Sequence, residues 1–267
     1  MCYNKIGDNM EQGKSRKTNI ILNFLDSNTK RKMEEFVQKN TLQNFIEIKN
    51  TQNLNTLLSE NINTFINNLD DYELMALRSY TGYNFKNINA ILRGNWNYEE
   101  NGKLTEEIQN KFLDVSKKIS TIIQKFPNIP FNFTTFRGTT ISSFYEYGIY
   151  SIKELIVLKN NYMYESGFTS TSIIEDSCYF KKNLETEKNY NVKIKYLITP
   201  EYNEGALLTS YYTSYSPTQN EYILSSGCLS KIIDVKINEE LDEAILTAIV
   251  IPKKIYDFEK SNENKIK

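Results

Sequence analysis

No histidine occurs anywhere in the 267 residues. That absence removes Ser-His and Cys-His nucleophile activation, and histidine-based metal sites with it. Cysteine is scarce. Cys2, Cys178 and Cys228 are far apart and odd in number, which argues against a disulfide framework and a zinc site, so they read as free thiols. No apolar run approaches the roughly 20 residues a membrane helix needs. Residues 1–19 are polar and lack a signal-peptide core. Neither sign of charge dominates: 32 basic and 33 acidic residues give a net charge of −1. No global field draws the chain to nucleic acid or an anionic membrane, although a local basic patch stays open. Chemistry must run on carboxylates, Arg, Lys, Tyr, Ser or a cofactor.

What is present is ordinary globular material, 40% hydrophobic and 24% charged. The length suits one domain of moderate size plus an extension, or two small domains. The first half reads helical. Leu54, Leu57, Leu58, Ile62, Phe65, Ile66 and Leu69 form an amphipathic stripe. Asp70 and Asp71 suit the start of a second helix that Gly82 would stop. Ile88, Ile91 and Leu92 mark a short third helix ending near Gly94, and residues 105–126 a longer one closed by Pro127 and Pro130. The second half changes period: Val192, Ile194, Tyr196 and Ile198 alternate as in a half-buried strand. Short strands fit 131–137, 167–172, 205–209, 221–224, 230–237 and 243–251. A helix over 151–159 has the capping-box pair Ser151 and Glu154. Helices first and strands later predict an α+β fold. Residues 1–50 read as an N-terminal helical extension, and 51–260 as the main domain.

Three short patterns carry chemistry-bearing side chains at strand ends. Arg137 follows Phe136, closes one strand and is itself followed by Gly138. Phe168, Ser170 and Ser172 share a strand face, which sets two hydroxyls beside a ring. Gln219 and Glu221 project together from the mouth of the strand that follows a turn-rich loop.

In this order, Phe136-Arg137-Gly138, Ser170-Thr171-Ser172 and Gln219-Asn220-Glu221 resemble the arginine–serine–glutamate class of mono-ADP-ribosyltransferase toxins. That class includes iota toxin and the clostridial exoenzymes that modify Rho GTPases. Tyr80-Thr81-Gly82-Tyr83, with Ile88-Asn89-Ala90-Ile91-Leu92-Arg93 after it, resembles the helix that brings a second NAD-contacting arginine. Each motif alone is weak; four in order are a strong joint signal. The resemblance implies helices packed on a two-sheet β core, with NAD as substrate and no metal. Glu221, Gln219 and Ser170 would be catalytic. Arg137, Arg93, Gly138, Phe168, Ser172 and Tyr80 would bind NAD. The reaction suits a chain without histidine. Nicotinamide leaves from a bond whose nitrogen is already cationic, so what is wanted is a carboxylate facing the oxocarbenium ion and arginine forks on the diphosphate.

The implied acceptor is a protein side chain, an asparagine on a Rho-type small GTPase, because glutamine at the Gln219 position accompanies asparagine modification in this class. Ser216 stands three residues before it, where the class usually sets an aromatic; the nearest is Tyr215. The loop over 173–183 carries Lys181 and Lys182 but no arginine. The resemblance further implies a monomeric exoenzyme, secreted or delivered into host cells as a virulence factor.

Other readings stand beside these. Transfer to guanine in nucleic acid, NAD glycohydrolase activity and a non-catalytic NAD-binding module are the rivals. Arg137 and Glu221 also fit surface positions, Arg93 fits dipole complementation at a helix C-terminus, Phe168 fits a core, and Ser170–Ser172 fit plain strand chemistry. Tyr211, Tyr212 and Tyr215 suit either a target-recognition cluster or nothing special.

Overall fold

The computed structural model describes residues 25–94, 105–175, 181–182, 189–208 and 220–256. Five helices come mostly first: α1 (Ser27–Thr41), α2 (Thr51–Asn67), α3 (Asp71–Ser79), α4 (Phe85–Leu92) and α5 (Glu106–Gln124). Their starts follow side-chain chemistry. Asp26 accepts the Thr29 amide at 2.8 Å and Asn50 that of Asn53 at 2.9 Å. Asp70 and Glu73 form a reciprocal capping box that satisfies two otherwise orphaned amides at the head of α3.

Gly82 breaks the helix as expected: α3 ends at Ser79, the Gly82 backbone is non-helical, and α4 is a separate helix beyond it. The chain runs through a π-helical turn, Tyr80–Asn84, bent at Gly82 with φ −88° and ψ −130°. Glycine adopts that ψ readily, so α3 and α4 join across a kink, which seats Tyr80 in the core. The third helix, α4, ends as expected just before Gly94, which is left-handed at φ +75°.

The strands are β1 (Phe133–Thr139), β2 (Tyr162–Glu165), β3 (Thr169–Ser172), β4 (Lys181–Lys182), β5 (Asn189–Tyr190), β6 (Val192–Ile198), β7 (Gly205–Leu208), β8 (Glu221–Leu224), β9 (Cys228–Asn238) and β10 (Glu243–Ile251). Eight of them order as β2-β9-β10-β6-β1-β3-β8-β7, while β4 and β5 pair separately. All neighbours in the large sheet are antiparallel except β6 and β10. The anticipated two-sheet core thus takes the form of two halves in one hydrogen-bonded order. They join at a single pair, Phe136 with Ser172. That seam is where the site lies.

Several boundaries differ from the sequence reading for identifiable reasons. β1 runs past Arg137 because Gly138 and Thr139 still pair with Lys193 and Val192. β3 starts at Thr169 rather than 167 because the Gly167 and Phe168 amides are taken by the side chains of Glu165 and Asn89. The segment over 151–159 is a 3-10 helix, Lys153–Leu158, whose buried Leu155 and Leu158 lie one 3-10 turn apart. Glu154 accepts the Tyr150 and Ser151 amides, half of the expected capping box.

The sheet buries both faces. Leu246, Ala248 and Val250 of β10 join the main core, which α2, α3, α4 and α5 cover. Ile249 and Ile251 point to the other face, where Met33, Phe36 and Val37 of α1 pack on them. Each such apolar side chain adds about 1.5–3 kcal/mol on burial. Polar ties reinforce this contact. Glu34 accepts from Tyr162 Oη at 2.6 Å and pairs with Lys231, and Glu47 pairs with Lys195. Ile46 exchanges backbone hydrogen bonds with Asn132 and Thr134, which extends the sheet next to β1. Among the described residues, no helix is long and apolar enough to cross a membrane.

Candidate active site

Glu221 opens β8 directly opposite Ser172 of β3, and Ser170 pairs with Ile223 one step along. Period-two geometry therefore puts Ser170, Ser172 and Glu221 on one face, with Ser170 diagonal to the carboxylate. Burial raises the Glu221 pKa above its usual value of 4.5, while the Ser170 hydroxyl and the Arg137 charge pull the other way. Arg137 reaches across the seam from β1 and donates from Nη1 to the Ser170 carbonyl at 3.3 Å. The three residues that the motifs singled out thus meet where the two half-sheets join.

Arg137 also lines a cavity of about 410 Å³ together with Arg93, Glu165, Tyr147 and Thr139. The cavity therefore carries two guanidinium groups, able to fork onto paired oxygens, beside two carboxylates, Glu146 and Glu165, and one of the guanidiniums touches the Ser170 backbone. Arg93 sits just past the end of α4 and forms a two-pronged ion pair with Glu165. Its Nε lies 2.9 Å from Oε1, and its Nη2 3.1 Å from Oε2.

Behind Ser170 lies a buried support. The Tyr80 and Phe168 rings meet edge to face at 5.3 Å. Asn89 of α4 accepts the Phe168 amide on Oδ1 at 2.8 Å and donates from Nδ2 to the Tyr80 hydroxyl at 3.4 Å. Burial and the nearby Glu221 charge push the Tyr80 pKa up to about 12, so its hydroxyl stays protonated beside Ser170. Gly167 lets α4 come this close: a Cβ there would lie 2.8 Å from Asn89 Oδ1. Gly167→Ala is expected to cost about 1–3 kcal/mol of stability by overpacking, read as a lower urea midpoint. An unchanged midpoint would mean that Asn89 is not held as tightly as its hydrogen bonds imply.

The remaining sequence-derived candidates fall in different places. Phe168 and Tyr80 are each 1% exposed and belong to the core, not to the cavity wall. The Ser172 hydroxyl is engaged locally, donating to the Ile174 carbonyl at 2.6 Å. Gly138 is part-buried in β1 and pairs with Lys193. Gln219 lies outside the described residues, as do Cys2, Cys178, Tyr211, Tyr212, Tyr215 and Ser216. Lys181 and Lys182 form β4. Cys228 is a buried free thiol whose pKa burial pushes up to about 12, which makes it unreactive. Among the described residues, no group of three or more acidic or cysteine side chains could hold a metal ion.

Two contributors had no role in the sequence reading. Glu165 stands in β2, a strand without a visible alternation, and only its place two residues before Gly167 hints at a part in the turn. Asn89 appears inside the helical motif, but helix periodicity says nothing about an amide that reaches out to cap a strand.

Comparison with known proteins places the fold and the family. The fold resembles the C3stau2 enzyme of S. aureus solved with NAD, at TM-score 0.59 and 20% identity over 79% of this chain and 100% of that one. The Clostridium limosum C3 exoenzyme gives 0.56 and 20%, over 78% and 98%. The BECa toxin of a C. perfringens binary enterotoxin, solved with NADH, gives 0.62 and 17%, over 78% of this chain and 50% of that one. No curated protein sequence matches. The family profile described as ADP-ribosyltransferase exoenzyme matches residues 55–253. With most of its length matched, the chain belongs to the ADP-ribosyltransferase exoenzyme family, enzymes that take ADP-ribose from NAD.

Proposed function

We propose that this mono-ADP-ribosyltransferase transfers ADP-ribose from NAD to an asparagine of a Rho-type small GTPase. The observation that carries the transferase chemistry is the meeting of Glu221, Ser170 and Arg137 at the seam between the half-sheets, and the choice of acceptor rests on Gln219 in the sequence. In this reading Arg137 and Arg93 grip the diphosphate. The glycosidic C–N bond breaks, and nicotinamide departs with the bonding pair as a neutral molecule. Glu221, steadied by the Ser170 hydroxyl, faces the positive charge that develops on the ribose. The acceptor amide nitrogen then bonds to the ribose carbon and releases a proton. Gln219 orients that amide, since a neutral carboxamide both donates and accepts. The enzyme acts as a monomer on a protein outside the cell that makes it.

The acceptor is tested by incubating the protein with NAD and a purified Rho-type GTPase and mapping the modified residue by mass spectrometry. ADP-ribose on one asparagine supports the proposal. Modification of an arginine, or of RNA or DNA supplied in its place, would refute that acceptor while leaving the transferase intact.

The Glu221 environment sets a pH dependence. Only the ionised carboxylate can stabilise the cation, and burial raises its pKa. Activity is therefore lost as pH falls through a value above the ordinary 4.5 of a glutamate. The acid limb of kcat/KM for nicotinamide release, measured between about pH 4 and 8, is expected above that value. A limb at or below 4.5 would contradict the assignment.

A further inference from the structure

Arg93 and Glu165 both line the cavity, yet neither is simply a surface ion pair. Each is about one-third exposed, with side-chain values of 35% and 35%. The guanidinium offers five N–H donors in a plane. Glu165 takes one edge, Nε and Nη2. That leaves the Nη1–Nη2 edge unclaimed by the carboxylate. Glu165 is itself fixed, because Oε1 also accepts the Gly167 amide at 3.0 Å. A backbone amide of the turn before β3 therefore anchors a carboxylate, and the carboxylate anchors Arg93.

Asn89 adds a second hold on the same turn. It precedes Arg93 by four residues, one helical turn, and accepts the next amide, that of Phe168. Two consecutive N–H groups, Gly167 and Phe168, are thus tied to the end of α4. The turn cannot shift without moving Arg93, and β3 with Ser170 follows directly after it.

We propose that Glu165 is a positioning residue for dinucleotide binding, holding one edge of Arg93 so that the other edge takes a diphosphate oxygen pair. This rests on the reading of the cavity as the NAD site. Pre-orientation removes the need to freeze a long, mobile arginine on binding. A different role is physically possible for the same pair. A carboxylate next to an arginine competes with an incoming phosphate, and its removal would then strengthen binding. The two roles predict opposite signs.

The test titrates NAD by calorimetry into wild type, Glu165→Gln, Arg93→Ala and the double variant, with steady-state nicotinamide release in parallel. Gln keeps the size and the acceptor for Gly167 but loses the charge. Positioning predicts NAD binding about three- to tenfold weaker in Glu165→Gln, with KM raised and kcat within about twofold. It also predicts no additional loss from Glu165→Gln once Arg93 is Ala, because the effect travels through that side chain. Arg93→Lys keeps the ion pair but has no second planar edge, so it should lose as much as Glu165→Gln. That variant serves if Glu165→Gln does not fold. Binding as tight as or tighter than wild type in either single variant overturns the proposal, as does a Glu165 effect that persists without Arg93. Wild type that binds no NAD would overturn both this and the reading of the cavity; unchanged binding in Glu165→Gln overturns this alone.

Discussion

Glu221→Gln is expected to lower the rate of nicotinamide release by about 10²–10³-fold while leaving the affinity for NAD within a few-fold. Gln has the same shape, so the hydrogen bond from Ser170 survives in some form, but nothing then balances the charge on the ribose. The loss should appear in kcat, because the interaction strengthens only as the glycosidic bond breaks. The same substitution makes a second, opposite prediction about stability. Burial raises the folded-state pKa of Glu221 above its unfolded value. A group shifted this way favours the folded state at low pH and loses that contribution as pH rises through the folded value. Above that value the ionised carboxylate is therefore a burden on folding, and there Glu221→Gln should melt at the same temperature as wild type or higher. Lost activity with retained or increased melting temperature separates chemistry from unfolding. A variant that loses both would point to a structural role for Glu221.

Arg137→Ala has the next largest expected effect. The side chain lines the cavity and bonds to the Ser170 carbonyl, so in the proposed reading truncation removes a diphosphate contact and loosens the strand that presents Ser170. Loss of one partner from a shielded charge-assisted contact costs about 2–5 kcal/mol, which corresponds to a fall in kcat/KM of roughly 30-fold to several thousand-fold. Arg137→Lys should recover only part of this, since an ammonium provides charge without the planar fork. Full recovery by Lys would show that charge alone matters and that the Ser170 contact is incidental.

Arg137, Ser170 and Glu221 were legible in the sequence because each belongs to a short string, and strand periodicity predicts which side chains share a face. The α+β class was legible from the change of period between the two halves. Three things were not. The seam between half-sheets is a single pair, Phe136 with Ser172, and no local pattern encodes a long-range pairing of that kind. Phe168 and Tyr80 looked like ligand walls because aromatics serve both cores and pockets; their edge-to-face contact decides for the core. Glu165 was invisible because its importance comes from Arg93, 72 positions away. The interruption at Gly82 was legible, because glycine is the residue that leaves helical dihedrals most cheaply, and its backbone is non-helical between α3 and α4.

In the proposed reading this chain cleaves NAD with Glu221 and passes ADP-ribose to a macromolecule. The most direct test incubates it with NAD labelled in the ADP-ribose part and a cell lysate, in parallel with Glu221→Gln. Label on a discrete protein band, absent with the variant, is the result this account predicts. Wild type that binds NAD yet transfers no label and releases no nicotinamide would contradict it.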